Sequence, residues 1–260
     1  MKLFDSHCHL DDKQYNRDFK GVLKRAAAAG VKCMLTVGVS HKGSSQAVTL
    51  AQSHPGVYAS VGVHPHYARQ CGTATLDFLI KLAANSKVKA WGEIGLDFNR
   101  MHSPREVQER WFIRQLEAAD EINLPTIFHE RGSQGRFLEI LKTKTRTARQ
   151  GVVHCFSGNS KELEQYLDLG LCIGITGIVT MQQRGEELRS MIPDIPGDRL
   201  VIETDAPYLT PTPEKNRTRR NEPAFVKSVL LKLGEIRRQD PAELADIIWQ
   251  NTCRLYNIES

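Results

Sequence analysis

The amino-acid sequence predicts a (β/α)8 barrel, the TIM-barrel fold, formed as one domain by residues 1–260. Three observations support this fold class. Eight short apolar segments alternate with amphipathic or loop segments along the chain. These segments are apolar on both faces, which is typical of parallel strands covered by helices. A chain of 260 residues is also long enough to form such a barrel as a single domain.

The predicted strands are rich in β-branched residues, and most follow a Gly, a Pro or a polar turn. They comprise residues 3–9, 33–39, 57–64, 88–93, 125–129, 151–154, 171–176 and 200–205. Helices are predicted over 19–29, 76–84, 106–121, 137–142 and 161–169, with closing helices over 223–233 and 241–256. The last of these begins at Asp240-Pro241, where an N-cap acid precedes Pro at the first helical position.

Composition limits the function classes without selecting one. The hydrophobic content of 40% and charged content of 25% are typical of a soluble globular protein. We find no apolar run of transmembrane length and no signal peptide. The six cysteines include no CxxC pair, which favours a reduced, cytoplasmic location. A net charge of +5 suits an acidic partner such as nucleic acid but does not identify one.

Side chains that can bind metal ions recur at the carboxyl ends of the predicted strands. A single histidine after a strand is more often structural than functional. In a barrel, however, these ends meet at one mouth, so several such residues predict a metal site there. The residues are His7, His9, His64, Glu93, His129, His154 and Asp205.

The motifs around these residues resemble the TatD family of metal-dependent deoxyribonucleases, whose barrel is amidohydrolase-like. The matching stretches occur in the family's order and span nearly the whole chain. They are FDSHCHL (4–10), GVHPH (62–66), GEIGLD (92–97), PTIFH (125–129), VHCFSG (153–158), IETDAPY (202–208) and RRNEP (219–223).

The resemblance implies a centre of two divalent cations. One ion would be held by His7, His9 and Asp205 and the other by His129 and His154, with Glu93 bridging them. This mixed nitrogen and oxygen ligand set admits Mg²⁺, Mn²⁺ or Zn²⁺. Two ions could activate water and stabilise the departing oxygen of a phosphodiester. Asp205 is expected to accept the proton of that water, with pure metal ligation as its alternative role.

A second group of residues is expected to contact substrate. His64 would contact the phosphate or the leaving group, and Arg131 would pair with a phosphate oxygen. Arg219 and Arg220, in the basic loop 215–220, would follow a nucleic-acid backbone, although such a loop can also be merely solvated. The chain has Arg131-Gly132-Ser133 where the family usually has Arg-Asp-Ala, so that acid is missing here.

Three further positions carry weaker expectations. His66 is expected to be solvated, because it lies beyond Pro65 and outside the row of strand ends. Glu203 shares a strand face with Asp205, and it would either orient a metal ligand or be satisfied by backbone donors. Gly174 would admit either substrate or a packing neighbour.

The function expected from this resemblance is 3′-to-5′ exonuclease action on single-stranded DNA, with no obligatory protein partner. The alternative is hydrolysis of a small phosphoester, amide or lactone at the same metal centre. Many amidohydrolase relatives bridge their metals with a modified Lys, so an apparent Glu93 bridge favours the nuclease. A non-enzymatic protein stabilised by metal is disfavoured, because structural zinc sites are closed and often use Cys.

Overall fold

The computed structural model describes residues 1–144 and 150–259, and its centre is one parallel sheet of eight strands. The strands follow one another in chain order, and each pairs in parallel with the next. A parallel bridge between Cys8 and Ala206 joins the first strand to the segment after the last. The strands are β1 Leu3–Cys8, β2 Val31–Val37, β3 Val57–Val61, β4 Val88–Asp97, β5 Thr126–Arg131, β6 Gly151–Val153, β7 Cys172–Ile175 and β8 Leu200–Ile202. The predicted barrel is therefore confirmed.

Nine α-helices occur in the described residues, and most of them cover the outside of the sheet. They are α1 Phe19–Ala29, α2 His41–Ser53, α3 Thr73–Ala83, α4 Arg105–Ile122, α5 Arg136–Lys144, α6 Ser160–Asp168, α7 Glu186–Met191, α8 Val226–Arg237 and α9 Pro241–Leu255. None of these helices has the length and apolarity needed to span a bilayer.

Two helices were not predicted from the sequence, α2 and α7. The first half of α2 contains Gly43, Ser44 and Ser45, which are poor helix formers. Its start is fixed by the side chain of Ser40, which accepts the backbone N–H of Gly43 at 3.1 Å. Ala47 and Ala51 then turn a buried face toward the sheet. Capping and burial together outweigh the weak propensity of this segment.

Helix α9 closes the amino-terminal end of the barrel interior. Trp249 and Tyr256 lie in one buried cluster with side chains drawn from most of the strands, including Phe4 and Leu35. The Tyr256 hydroxyl donates to the carbonyl of Ser6 at 3.1 Å. Because this end is filled with apolar side chains, the carboxyl end of the barrel is left for the functional site.

Strand β4 is longer than the sequence predicts, and this matters for the site. It was expected to end at Glu93, but it continues to Asp97, where Gly95 pairs with His129 and Asp97 pairs with Arg131. Gly95 has a φ of +146°, and a Cβ there would overlap the carbonyl of His129. Only glycine lets the two strands stay paired at this point.

Candidate metal centre and active site

The predicted metal ligands meet in one cavity of about 860 Å³ at the carboxyl ends of the strands. His7 belongs to the end of β1, Glu93 to β4 and His129 to β5. His154 and Asp205 follow β6 and β8 within a few residues. The cavity is lined by His9, His64, Glu93, His129, His154 and Asp205, together with several residues of the rim.

His7 is buried beside Glu93 and Asp205, two of the residues that line this cavity. Its side chain is fully buried, and within the described residues neither ring nitrogen has a hydrogen-bond partner. Its Nε2 atom is 3.5 Å from Glu93 Oε2 and 3.8 Å from Asp205 Oδ1. A buried imidazole without partners is costly, whereas a metal ion would satisfy the nitrogen that faces two carboxylates. His9 adds a second nitrogen, with Nε2 3.2 Å from Asp205 Oδ1.

Glu93 occupies the middle of the ligand set, as expected for a bridging residue. Its Oε2 atom faces His7, whereas Oε1 is 2.7 Å from His129 Nδ1 and 3.4 Å from His64 Nε2. Burial would raise the pKa of this carboxyl, but the surrounding imidazoles outweigh burial and hold it well below its usual range. Glu93 is therefore a carboxylate whose two oxygens face different groups of nitrogen ligands.

His154 is oriented by Glu203. The Nδ1 atom of His154 lies 2.8 Å from Glu203 Oε1, which also accepts the backbone N–H of Cys155 at 2.6 Å. This pairing leaves Nε2 facing the cavity, 3.9 Å from both Glu93 Oε1 and Asp205 Oδ1. Burial alone would lower the pKa of His154, but Glu203 and Glu93 raise it to about 10. Of the two expected roles of Glu203, binding a backbone donor is observed, and orienting His154 stays a prediction that the 2.8 Å distance supports.

Gly174 provides the space for the Glu203 carboxylate. A Cβ at this position would lie 2.8 Å from both Glu203 oxygens. Of the two expectations for Gly174, packing is therefore the one that the structure supports.

Asp205 is held at the mouth by an unusual backbone conformation. Its φ is +56°, a left-handed value that aspartate tolerates better than most residues. Its N–H donates to the carbonyl of His7 at 2.9 Å, which ties the end of β8 to β1. Asp5 strengthens the same junction, because its carboxylate accepts the N–H and the hydroxyl of Thr204 at 2.8 and 2.6 Å. The position of Asp205 is therefore fixed by the closure of the barrel.

Among the described residues, three groups of side chains can each hold a metal ion. Within each group the ligand atoms lie within 4.8 Å of one another. The groups are His7, His154 and Asp205; His7, His9 and Glu93; and His64, Glu93 and His129. The sequence placed His154 with His129, whereas here His154 lies with His7, whose ring it stacks on at 3.5 Å between centroids.

Comparison with known proteins places this chain in a family. A family model described as TatD-related DNase matches residues 4–257. The chain belongs to the TatD family. It is therefore an enzyme that hydrolyses phosphodiester bonds, as its motifs predict.

Individual TatD relatives are similar over their full length. The 3′-5′ ssDNA/RNA exonuclease TatD of Rahnella sp. is 42% identical and is covered over 99% of both chains. The crystal structure of a TatD homologue from Escherichia coli K12 has a TM-score of 0.91 at 31% identity, covering 99% of this chain and 98% of that one. A TatD-family hydrolase from Entamoeba histolytica has a TM-score of 0.87 at 26% identity, with 98% of each chain covered.

His64 can donate a hydrogen bond into the cavity. Its Nδ1 atom accepts the backbone N–H of His66 at 3.0 Å. Burial lowers the pKa of His64 to about 4, so the ring is neutral and its single proton lies on Nε2. Nε2 faces Glu93 at 3.4 Å. This tautomer suits the predicted contact with a phosphate or leaving group better than metal ligation through Nε2.

Asp97 is a residue of the site that the sequence did not single out. Its Oδ2 atom is 2.6 Å from His66 Nε2 and 3.3 Å from His129 Nε2. His66 is therefore paired at the cavity wall, and the prediction that it is solvated was wrong. The period-two alternation on the extended β4 places Asp97 on the same face as Glu93, and this signal could have identified it.

Two buried glutamines of α4 hold the strand ends that carry these residues. The side-chain amide of Gln115 accepts the N–H of Val63 at 2.7 Å and donates to its carbonyl at 2.9 Å. Gln108 does the same for Asp97, at 2.8 and 3.1 Å. Because the two glutamines are seven residues apart, they lie on one face of the helix, two turns from each other. They position His64 and Asp97 through the backbone.

The arginines of the rim divide into cavity residues and structural residues. Arg131 lines the cavity, where it stays a predicted phosphate contact, and Arg100 and Arg184 line it as well. The sequence did not single out these last two. Arg219 lines an adjoining cavity of about 700 Å³ with Arg184 and Lys215.

Arg220 lines neither cavity, and the structure does not support its prediction as a substrate contact. Its guanidinium donates to Asp18 at 2.7 and 2.8 Å and to Glu222 at 2.7 Å. It also donates to the carbonyl of Gln14 and lies over the ring of Tyr15. With its donors occupied by carboxylates and a carbonyl, this side chain braces the loop instead of facing a phosphate.

Proposed function

We propose that this TatD-family enzyme is a 3′-to-5′ exonuclease that acts on single-stranded DNA with a centre of two divalent cations. The observation that supports it most is the convergence of the imidazoles around Glu93. One Glu93 oxygen faces His7 and the other faces His129 and His64, so the carboxylate is arranged to serve two ions. The relative from Rahnella sp. carries the name of a 3′-5′ ssDNA/RNA exonuclease, which supports the polarity and the substrate class.

We infer that the ions are held by the predicted ligands His7, His9, Glu93, His129, His154 and Asp205. The buried ring nitrogens of His7, which have no hydrogen-bond partner in the described residues, support this proposal. Bound Mg²⁺, Mn²⁺ or Zn²⁺ would polarise the phosphate and lower the pKa of an attacking water.

Three side chains then have the remaining roles in the reaction. Asp205 accepts a proton from the attacking water, since its carboxylate is ionised: burial would raise its pKa, but hydrogen bonding from His9 and the charge of His154 lower it. His64 donates its Nε2 proton toward the phosphate or the departing oxygen. Arg131 pairs with a phosphate oxygen through its forked donors.

The single-stranded DNA reaches the candidate metal centre across a rim of basic side chains. Arg184, Lys215 and Arg219 line the adjoining cavity, and within the described residues their side chains form no ion pair. Free cations of this kind attract phosphates without reading sequence. We further propose that residues 1–260 act as one unit in the cytoplasm, where the six cysteines, all free in the structure, would stay reduced.

The test is a degradation assay with metal-stripped protein and a 5′-labelled single-stranded DNA oligonucleotide. Mg²⁺, Mn²⁺ or Zn²⁺ is added back, and Asp205→Asn is the control. We expect a ladder that shortens from the 3′ end, depends on metal and is absent in the variant. If two metals bind but no cleavage occurs, the nucleic-acid substrate is wrong and a smaller ester or amide takes its place.

A further inference from the structure

Two tyrosines stand exposed at the rim of the catalytic cavity. In the described part of the chain only five large hydrophobic side chains are strongly exposed, and Tyr67 and Tyr208 are two of them, at 40% and 50%. Both line the cavity. Single exposed aromatic residues need no explanation. Two exposed tyrosines that line one cavity, however, form an aromatic surface at its entrance.

Tyr208 is held in place before any substrate arrives. Its hydroxyl donates to Asp12 Oδ2 at 3.0 Å, and its ring meets the edge of the His9 ring at 5.8 Å between centroids. Its backbone N–H donates to the carbonyl of Asp205 at 2.8 Å. A ring fixed in this way loses little conformational freedom on binding, so its contact surface is preorganised.

Tyr67 lines the same cavity as Tyr208 and is anchored beside His64. It belongs to a short 3-10 turn, Pro65–Gln70, and its N–H donates to the carbonyl of His64 at 2.8 Å. The two tyrosines therefore line one cavity, with Tyr67 tied to His64 and Tyr208 tied to Asp205.

We propose that Tyr67 and Tyr208 form a stacking clamp for the unpaired nucleobases that flank the scissile phosphate. This inference rests on the proposed nuclease function and assigns it a reason for preferring single strands. Every base has a π face, so stacking tolerates any sequence. A base inside a duplex is already paired and stacked, and its faces are not available to the clamp. The arginines of the rim read only phosphates, which both kinds of substrate carry.

The test compares leucine and phenylalanine variants at both positions. Tyr67→Leu and Tyr208→Leu remove the π face but keep most of the volume, and we expect each to raise KM for single-stranded DNA by about tenfold, with a smaller change in kcat. The phenylalanine variants keep the ring and should restore the affinity. Leu231→Ser, at an exposed apolar residue that lines neither cavity, is the matched surface control.

A second substrate separates base stacking from damage to the enzyme. It is the same oligonucleotide with abasic residues at its last two 3′ positions. Wild-type enzyme should bind the abasic oligonucleotide about as weakly as the leucine variants bind the normal one. The leucine variants should bind the abasic oligonucleotide no more weakly than wild type does. An equal KM of wild type and leucine variants for the normal oligonucleotide would overturn the clamp. The clamp would also be overturned if the leucine substitutions weakened binding of the abasic oligonucleotide as much as binding of the normal one.

Measuring DNA binding by metal-stripped protein tests the clamp independently of the hydrolysis reaction. Fluorescence anisotropy gives Kd for the normal and the abasic strand without cleavage. If wild-type enzyme does not degrade DNA but discriminates the two strands through the tyrosines, the exonuclease proposal fails and the clamp stands. If the leucine variants discriminate them as wild type does, the clamp fails whatever the activity.

Discussion

Replacing Glu203 by glutamine should weaken metal binding without unfolding the protein. The carboxylate is buried, and its Oε1 atom lies 2.8 Å from His154 Nδ1 and 2.6 Å from the Cys155 nitrogen. A glutamine carbonyl can accept from both donors, so Glu203→Gln removes the charge and keeps the shape. That charge makes the His154 imidazole a better donor to a cation.

The expected loss is about tenfold in Kd for one of the ions, or about 1.4 kcal/mol. Losses of this kind range from about tenfold to about a hundredfold. We expect the lower end, because the same carboxylate also holds a proton on His154, whose pKa is raised to about 10 without metal. Removing the charge therefore weakens the binding of the competing proton to His154 as well as the binding of the metal.

Calorimetric titration of metal-stripped protein with Mn²⁺ measures this effect, and thermal melting without metal measures stability. Glu203→Gln should melt near wild type. Glu203→Ala should bind metal as weakly but melt lower, because it leaves the partly buried Cys155 N–H without its acceptor, at a cost of about 1 kcal/mol.

A substitution on β7 tests the position of the Glu203 carboxylate without changing Glu203 itself. Gly174→Ala places a methyl 2.8 Å from both Glu203 oxygens and must displace them, so it should also weaken metal binding. Gly72→Ala is the matched control, because its methyl meets no atom within 4 Å. If Glu203→Gln and Gly174→Ala bind both ions as tightly as wild type, Glu203 does not orient His154 and serves only the backbone.

Three further predictions concern the frame, the rim and the protons of the site. Gln115→Leu removes both hydrogen bonds to Val63 and should lower the free energy of unfolding in urea by about 2–4 kcal/mol; an unchanged midpoint would mean that the sheet alone holds this strand end. Arg219→Ala should weaken DNA binding, reduce its salt slope by about one and leave the melting temperature unchanged, whereas Arg220→Ala should lower the melting temperature; the reverse pattern would exchange their roles. Burial would lower the pKa of His129, but its carboxylate partners raise it to about 9, so metal must displace a proton below that pH. Metal affinity should therefore fall as pH decreases from about 9 to 6, and a pH-independent Kd would contradict this.

The order of the strands and the residues that gather at the candidate metal centre could be predicted from the sequence, because each is a local pattern. An apolar run that ends in a histidine or an acid is visible within a few residues. The end of β4 was missed for the same reason, since Gly95 interrupts the apolar run although it is what allows the strand to continue beside β5. The role of Asp97 was missed with it.

Contacts between distant residues were beyond such patterns. Gln108 and Gln115 resemble the solvated face of a helix in sequence, and only packing shows that their amides reach the backbone of other strand ends. Arg219 and Arg220 are adjacent and of one type, yet one faces a cavity and the other is enclosed by Asp18 and Glu222. Their difference depends on the direction of each side chain, which no residue pattern specifies.

The imidazole of His129 links proton binding to the stability of the fold. Burial would lower the pKa of the His129 imidazole, but its ring nitrogens face the carboxylates of Glu93 and Asp97, which raise it to about 9. A raised histidine pKa stabilises the folded state fully below its unfolded value of about 6.5, and this contribution disappears as pH rises through about 9. Metal ions need the opposite condition, a neutral ring. Protons and metal ions therefore compete for the imidazole that lies between these buried acids, and the pH of the solution sets which of them is bound.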